Sequence, residues 1–183
     1  LTFGIWHLFQ RVWKQPVRII GVETRADLVA TTNQLALQIG AEGLEFVSGT
    51  IESAQLPRVD ALIALHACNT ATDDAIRFAL AKQARHIVLV PCCQAEVAAV
   101  LRRHKNEPFG KTPLSEIWRH PIQTREFGSH LTNVLRCLQL ESHGYQVTVT
   151  ELVGWEHSLK NELIIATQKN APRRNASTSV SGN

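Results

Sequence analysis

The 183-residue sequence is 44% hydrophobic and 19% charged with a formal net charge of +3, a composition that excludes disordered, collagen-like and disulfide-scaffold chains. The basic residues are spread along the chain, so the charge permits an RNA partner without arguing for one. No run approaches the roughly 20 apolar residues that span a bilayer and no charged-then-apolar leader opens the chain, which leads to the expectation of a cytoplasmic protein with reduced thiols and no membrane contact.

At this length a single domain is expected, burying roughly two-thirds of the surface its unfolded chain exposes. The chain has no methionine. It opens in the middle of a pattern, with Phe3, Trp6, Leu8, Phe9, Val12 and Trp13 at helical spacing and no capping residue ahead of them, so a helix whose start lies upstream is expected. From Val17 to Glu23 a β-branched run predicts a first strand, and from about Ala26 to Ile39 a helix follows, with Leu28, Leu35, Leu37 and Ile39 on its apolar side and Gly40 and Gly43 closing it. Leu44 to Val47 reads as a second strand ending at Ser48-Gly49-Thr50, and Asp60 to Leu65 as a third, apolar enough to be buried on both faces.

A helix from about Thr72 to Gln83, a strand from His86 to Val90 and a helix through Ala95, Val97, Val100 and Leu101 come next. Phe127, Leu131, Leu135 and Leu138 then mark an amphipathic helix from about Arg125 to Leu140. Tyr145 to Val153 and Glu162 to Thr167 alternate at period two around the loop from Gly154 to Asn161, predicting an antiparallel pair. The residues after about Gln168 are rich in Asn, Arg and Ser and read as a disordered tail. Strands alternating with helices predict an α/β fold, a Rossmann-like and mostly parallel sheet with helices on both faces and a C-terminal antiparallel hairpin.

In such sheets ligands bind beyond the carboxyl ends of the strands. Three stretches sit there: Glu23, the corner Ser48-Gly49-Thr50-Ile51, and His66-Ala67-Cys68-Asn69. A carboxylate at the end of an apolar strand can accept hydrogen bonds from both ribose hydroxyls of a nucleotide-like cofactor, or it can be a solvated Glu facing the positive end of the next helix. Thr70-Ala71-Thr72-Asp73 has the spacing of a capping box, Thr70 as N-cap and Asp73 in the place of the usual Glu. Capping accounts for that half of the segment and leaves His66 to Asn69 for chemistry.

His66-Ala67-Cys68-Asn69-Thr70-Ala71-Thr72-Asp73, Pro91-Cys92-Cys93-Gln94 and Glu156-His157-Ser158-Leu159-Lys160-Asn161, in that order, resemble the three signatures of a class I S-adenosylmethionine-dependent methyltransferase family that includes the methyltransferase-like 25 proteins. The resemblance extends over residues 1–168, with 169–183 as tail. It implies S-adenosylmethionine as cofactor, with Glu23 at the ribose, Thr50 and Ile51 beside the adenine, and His66 between cofactor and methyl acceptor. His66, Asn69 and Cys92 become the candidate catalytic residues. Family members carry Asp where this chain has Asn69 and Thr-Pro where it has Ser158-Leu159, which leaves position 69 a hydrogen-bonding role without the charge. They also carry a strand and a Gly-rich turn ahead of the first helix. The sequence is therefore read as an N-terminally truncated domain that binds the cofactor weakly or not at all by itself.

His66 has a side chain suited to removing the acceptor's proton near neutral pH, and a structural hydrogen bond at a strand end accounts for it equally well. Cys68 and Cys92 would be the candidate nucleophiles of a covalent route to a pyrimidine carbon; as plain packing, Cys68 and Cys93 are small buried residues lining the pocket, the reading favoured for Cys93 and Cys137. A zinc site on His66, Cys68, Cys92 and Cys93 lacks the usual spacer between paired cysteines. The pieces Arg102-Arg103-His104-Lys105 and Arg119-His120 suit phosphate in an RNA, though such a run is more often the solvated face of a helix end, and it is the family association that puts RNA slightly ahead of protein as the expected acceptor. The competing reading is a non-catalytic remnant or binding module that keeps the sheet without turnover.

Overall fold

The computed structural model describes residues 1–56, 58–65, 67, 70–91, 95–103, 116–117, 119–153 and 162–169. These divide into two compact units, Leu1–Leu56 and Pro57–Asn183.

In the first unit, helix α1 (Thr2–His7) runs into a π-helical turn at Leu8–Val12 and is followed by β1 (Ile19–Glu23), α2 (Ala26–Gln38) and β2 (Leu44–Ser48). The strands pair in parallel from Ile19↔Leu44 to Glu23↔Ser48. Trp6, Ala36, Ala41 and Leu44 form the buried core, with Phe3, Val17, Ile19 and Phe46 packed around it. The outer edge of β2 is not left bare: the Asn33 amide on α2 donates to the Phe46 carbonyl and accepts from the Phe46 N–H, both at 2.8 Å. A side-chain amide thus substitutes for one residue of a further strand. The turn from α2 to β2 requires Gly43, whose φ is +77°, and a Cβ there would lie 2.5 Å from the Val17 carbonyl oxygen.

The apolar side expected on α2 is not the one that packs. Leu35, Leu37 and Ile39 are exposed while Ala36 is buried. The close approach of α2 to a two-stranded sheet favours the small side chain, and Asn33 must face β2 to reach Phe46.

The second unit contains β3 (Ala61–Leu65), α3 (Thr70–Ala81), β4 (His86–Val90), α4 (Glu96–Arg103), α5 (Pro121–Ser142), β5 (Tyr145–Glu151) and β6 (Glu162–Gln168). The strand order is β3-β4-β6-β5; β3 and β4 are parallel, and β6 is antiparallel to both β4 and β5. Three of the four strands therefore point the same way, and the expected α/β class and C-terminal hairpin are borne out. The expected parallel pairing also holds, β1 with β2 in the first unit and β3 with β4 in the second. Strand β3, expected to be buried on both faces, is an edge strand with Ile63 42% exposed.

The core of this unit is Leu62, Ala75, Ile76, Ala79, Ala84, Ile87, Leu89, Val90, Ala98, Leu140, Tyr145, Ile164 and Ala166. Helix α5 has 22 residues, longer than the stretch from about Arg125 to Leu140 that periodicity predicts, and of the predicted apolar stripe Phe127 and Leu131 are half-buried. Leu135 and Leu138 are exposed, whereas Thr124, Gly128, Asn133, Arg136 and Leu140 are buried. Gly128 sits against α4, where a Cβ would come within 2.7 Å of the Ala98 nitrogen, so the small residue sets the helix separation. The expected capping box is also displaced: Thr70 lies within α3, and the Asp73 carboxylate is bound by Arg136.

Tyr145 anchors the hairpin to the turn before β4, its hydroxyl donating to the Ala84 carbonyl at 2.6 Å from a buried ring. Tyr145→Phe deletes that bond without opening a cavity. The variant is expected to lose about 1–2 kcal/mol, read as a lower urea midpoint at unchanged slope.

Candidate functional site

The carboxyl ends of β1 and β2 lie side by side because the strands are parallel and in register, and the Gly49 N–H donates to the Glu23 carbonyl at 3.0 Å. This brings together three of the residues singled out from the sequence, Glu23, Thr50 and Ile51. The corner after β2 is built by Ser53, which accepts from the Thr50 N–H at 3.0 Å and returns a hydrogen bond to the Thr50 carbonyl at 3.0 Å. A short polar side chain closing a turn on its own backbone is a common way to hold a loop. Thr50 is exposed and Ile51 half-buried.

Glu23 is prepared by its two followers. Its Oε1 accepts from the Arg25 N–H at 3.1 Å, from Arg25 Nε at 3.3 Å and from the Thr24 hydroxyl at 3.3 Å. The Arg25 side-chain and backbone hydrogen bonds hold the carboxyl below its ordinary value, and Glu23 in turn raises the Arg25 guanidinium. Its Oε2 has a 3.5 Å contact from Arg25 Nη2, which leaves lone-pair capacity for an incoming hydroxyl. The sequence reading missed Thr24 and Arg25; the signal was present in the run Glu-Thr-Arg directly before a helix.

In the second unit the pairings Leu65↔Val90, Leu89↔Ile164 and Glu151↔Glu162 place the ends of β3, β4 and β5 and the start of β6 at one end of the sheet. A polar network also missed from the sequence lies at this end. Arg136, 2% exposed, donates through Nε and Nη2 to the two Asp73 oxygens at 2.8 and 2.7 Å and through Nη1 to Asn133 Oδ1 at 3.3 Å. Asn133 donates to Glu162 at 2.9 Å. Cys137 follows Arg136 on α5; burial pushes its thiol up, and the Glu162 and Glu141 charges push in the same direction, which favours the neutral thiol.

His66, Asn69, Cys92, Cys68, Cys93, the loop from Gly154 to Asn161 and the tail beyond Lys169 lie outside the described residues. Among the described residues no group of three His, Cys, Asp or Glu side chains is placed to hold a metal ion, and no helix is long and apolar enough to cross a membrane.

A family model described as "Methyltransferase domain" matches residues 1–100, more than half of the chain. Among solved structures, the citrinin polyketide synthase CMeT domain is similar with a TM-score of 0.52 and 16% identity, covering 93% of this chain and 44% of that one. Precorrin-6y C5,15-methyltransferase from Geobacter metallireducens GS-15 has a TM-score of 0.45 at 16% identity, covering 84% and 68%. The S-adenosylmethionine-dependent methyltransferase SibL in its apo form has 0.46 at 12%, covering 84% and 44%. The chain thus spans less than half the length of two of these three, and at such identities the likeness to the CMeT domain is one of fold alone. No curated protein matches.

Proposed function

This chain belongs to the methyltransferase-domain family, and from that membership we propose that it binds S-adenosylmethionine at the carboxyl end of the β1–β2 pair and serves transfer of its methyl group. The observation that carries the proposal is the ionised Glu23 beside the Thr50–Ser53 turn at the end of two parallel strands. The donor set there fits the group: an acceptor-only carboxylate suits a ribose diol, and half-buried Ile51 offers apolar surface to a purine face. S-adenosylmethionine, when bound, supplies a methyl carbon already activated on a sulfonium sulfur. The protein has then to align an acceptor and remove a proton where the acceptor carries one.

In this reading Glu23 holds the ribose, Thr50 and Ile51 flank the adenine, His66 takes the acceptor's proton and Asn69 hydrogen-bonds at the same place. Cys92 is the attacking group only if the acceptor is a pyrimidine carbon. The proposed acceptor is RNA, supported by the exposed Arg102 and Arg103 at the end of α4.

The test is ligand-observed NMR with S-adenosylmethionine on the 183-residue chain, followed by transfer of labelled methyl to RNA and to protein extracts. Weak binding, with a Kd of about 1 mM or ~4 kcal/mol, is expected, together with label in the RNA fraction. Absence of any saturation transfer to the cofactor would refute cofactor binding, and label confined to protein would refute RNA as acceptor.

A further inference from the structure

Four polar side chains inside the second unit are more than a local ion pair. Arg136 and Asn133 are buried on α5, yet neither of their carboxylate partners belongs to that helix. Asp73 lies in the first turn of α3, a few residues after the His66–Asn69 stretch, and Glu162 is the first residue of β6, directly after the loop from Gly154 to Asn161. The strand register places both carboxylates at the same end of the sheet. A further hydrogen bond strengthens the connection: the buried Thr72 hydroxyl donates at 2.5 Å to the carbonyl of Ala67, the residue between His66 and Cys68.

We propose that the Asp73–Arg136–Asn133–Glu162 network is a positioning device, which fixes the first turn of α3 and the first residue of β6 to one helix, α5, so that the two elements move together. Its bearing on catalysis rests on the methyltransferase reading given above. The physical reason is the geometry of the guanidinium. A bidentate pair to Asp73 through Nε and Nη2 fixes the plane of the fork, and that plane aims the remaining Nη1 at Asn133. Asn133 Oδ1 accepts from Arg136, so its Nδ2 is turned to Glu162. The bonds run outward from the guanidinium, to the Asp73 carboxylate on one side and through the Asn133 amide to the Glu162 carboxylate on the other, and each member orients the next. For holding α5 in place alone, apolar residues of similar volume would be as good or better.

Hydrogen exchange read by mass spectrometry on the whole chain tests this without cofactor or acceptor. Glu162→Ala is expected to speed exchange in α3, residues 70–81, to which it is linked through Asn133 and Arg136, and Asp73→Asn to speed exchange in β6, residues 162–168; each effect should be at least about threefold, with β1 and β2 unchanged. Arg136→Lys keeps the charge and loses the fork, and it should speed both. Variants that perturb only their own segment would overturn the proposal. In case single variants fail to fold, Asp73→Leu/Arg136→Met removes both charges together; adding Glu162→Ala to it should then leave α3 exchange unaltered, and a further acceleration would also overturn the proposal. Where the wild-type chain transfers methyl, the double variant should lose on the order of a hundredfold in kcat at unchanged KM for the methyl donor. An unchanged kcat would remove the catalytic bearing, whereas no transfer by the wild type would count against the methyltransferase reading and leave the exchange result standing.

Discussion

Asp73→Ala is expected to lower the stability of the chain by about 3 kcal/mol, the low end of the range for breaking a buried ion pair. The Arg136 side chain is 2% exposed and the Asp73 side chain 35% exposed. Removing the carboxylate strands a guanidinium that cannot lose its proton, but the opening on the Asp73 side admits some water and moderates the cost. Two donors, Nε and Nη2, lose their acceptors at once. For a chain of this size the loss corresponds to a fall in Tm of roughly 6–12 °C. Calorimetry or thermal circular dichroism reads it directly. Asp73→Leu/Arg136→Met should recover most of the loss, since no charge is left behind. A single variant as stable as wild type would mean that the pair contributes nothing to the fold.

Glu23→Ala is expected to weaken S-adenosylmethionine binding by about 10- to 100-fold, the loss for hydrogen bonds to an ionised group of roughly 1.5–3 kcal/mol. Against weak wild-type binding this abolishes the saturation-transfer signal. The fold should be unaffected, because the Glu23 side chain is partly exposed and its partners Thr24 and Arg25 are exposed residues. The pH dependence follows from the Arg25 hydrogen bonds, which hold the Glu23 carboxyl below the ordinary 4.5. The acceptor form is the ionised one, present above the depressed value. Binding should therefore be level around neutral pH and be lost as the pH falls through the depressed value, which lies below 4.5. Glu23→Gln keeps one acceptor oxygen and no charge, so its residual binding should be level throughout. Affinity that falls between pH 6 and 5 in the wild type would place the controlling group elsewhere than the depressed carboxyl of Glu23.

Strand and helix order was legible along the chain because it is local. Five-residue β-branched runs bounded by Gly, Pro or polar turns can only be short strands, and Ile19–Glu23, Leu44–Ser48 and His86–Val90 lie within a residue or two of where composition puts them. The hairpin of β5 and β6 was equally plain from its alternation. At the site, Glu23 and the Gly49–Ile51 corner were visible because parallel strands place their carboxyl ends together whatever their side chains. Arg25 as the partner that lowers the Glu23 carboxyl was not, since a hydrogen bond between residues two apart depends on the backbone direction at the start of α2.

Face selection was the part that the chain order could not reveal. In α5 the apolar residues Leu131, Leu135 and Leu138 recur at helical spacing, yet the buried positions are Thr124, Gly128, Asn133, Arg136 and Leu140. Hydrophobic periodicity assumes that what is buried is apolar. That assumption fails where a buried Arg136 is neutralised by Asp73, 63 residues away, and its neighbour Asn133 is bound by Glu162, 29 residues away. The same holds for α2, where Asn33 faces inward because Phe46 presents an unpaired N–H and carbonyl at the edge of a two-stranded sheet. Local pattern determines which elements form and in what order. Which face each helix buries is decided by polar partners distant in sequence, because a buried polar or charged group left without its partner carries a large desolvation penalty.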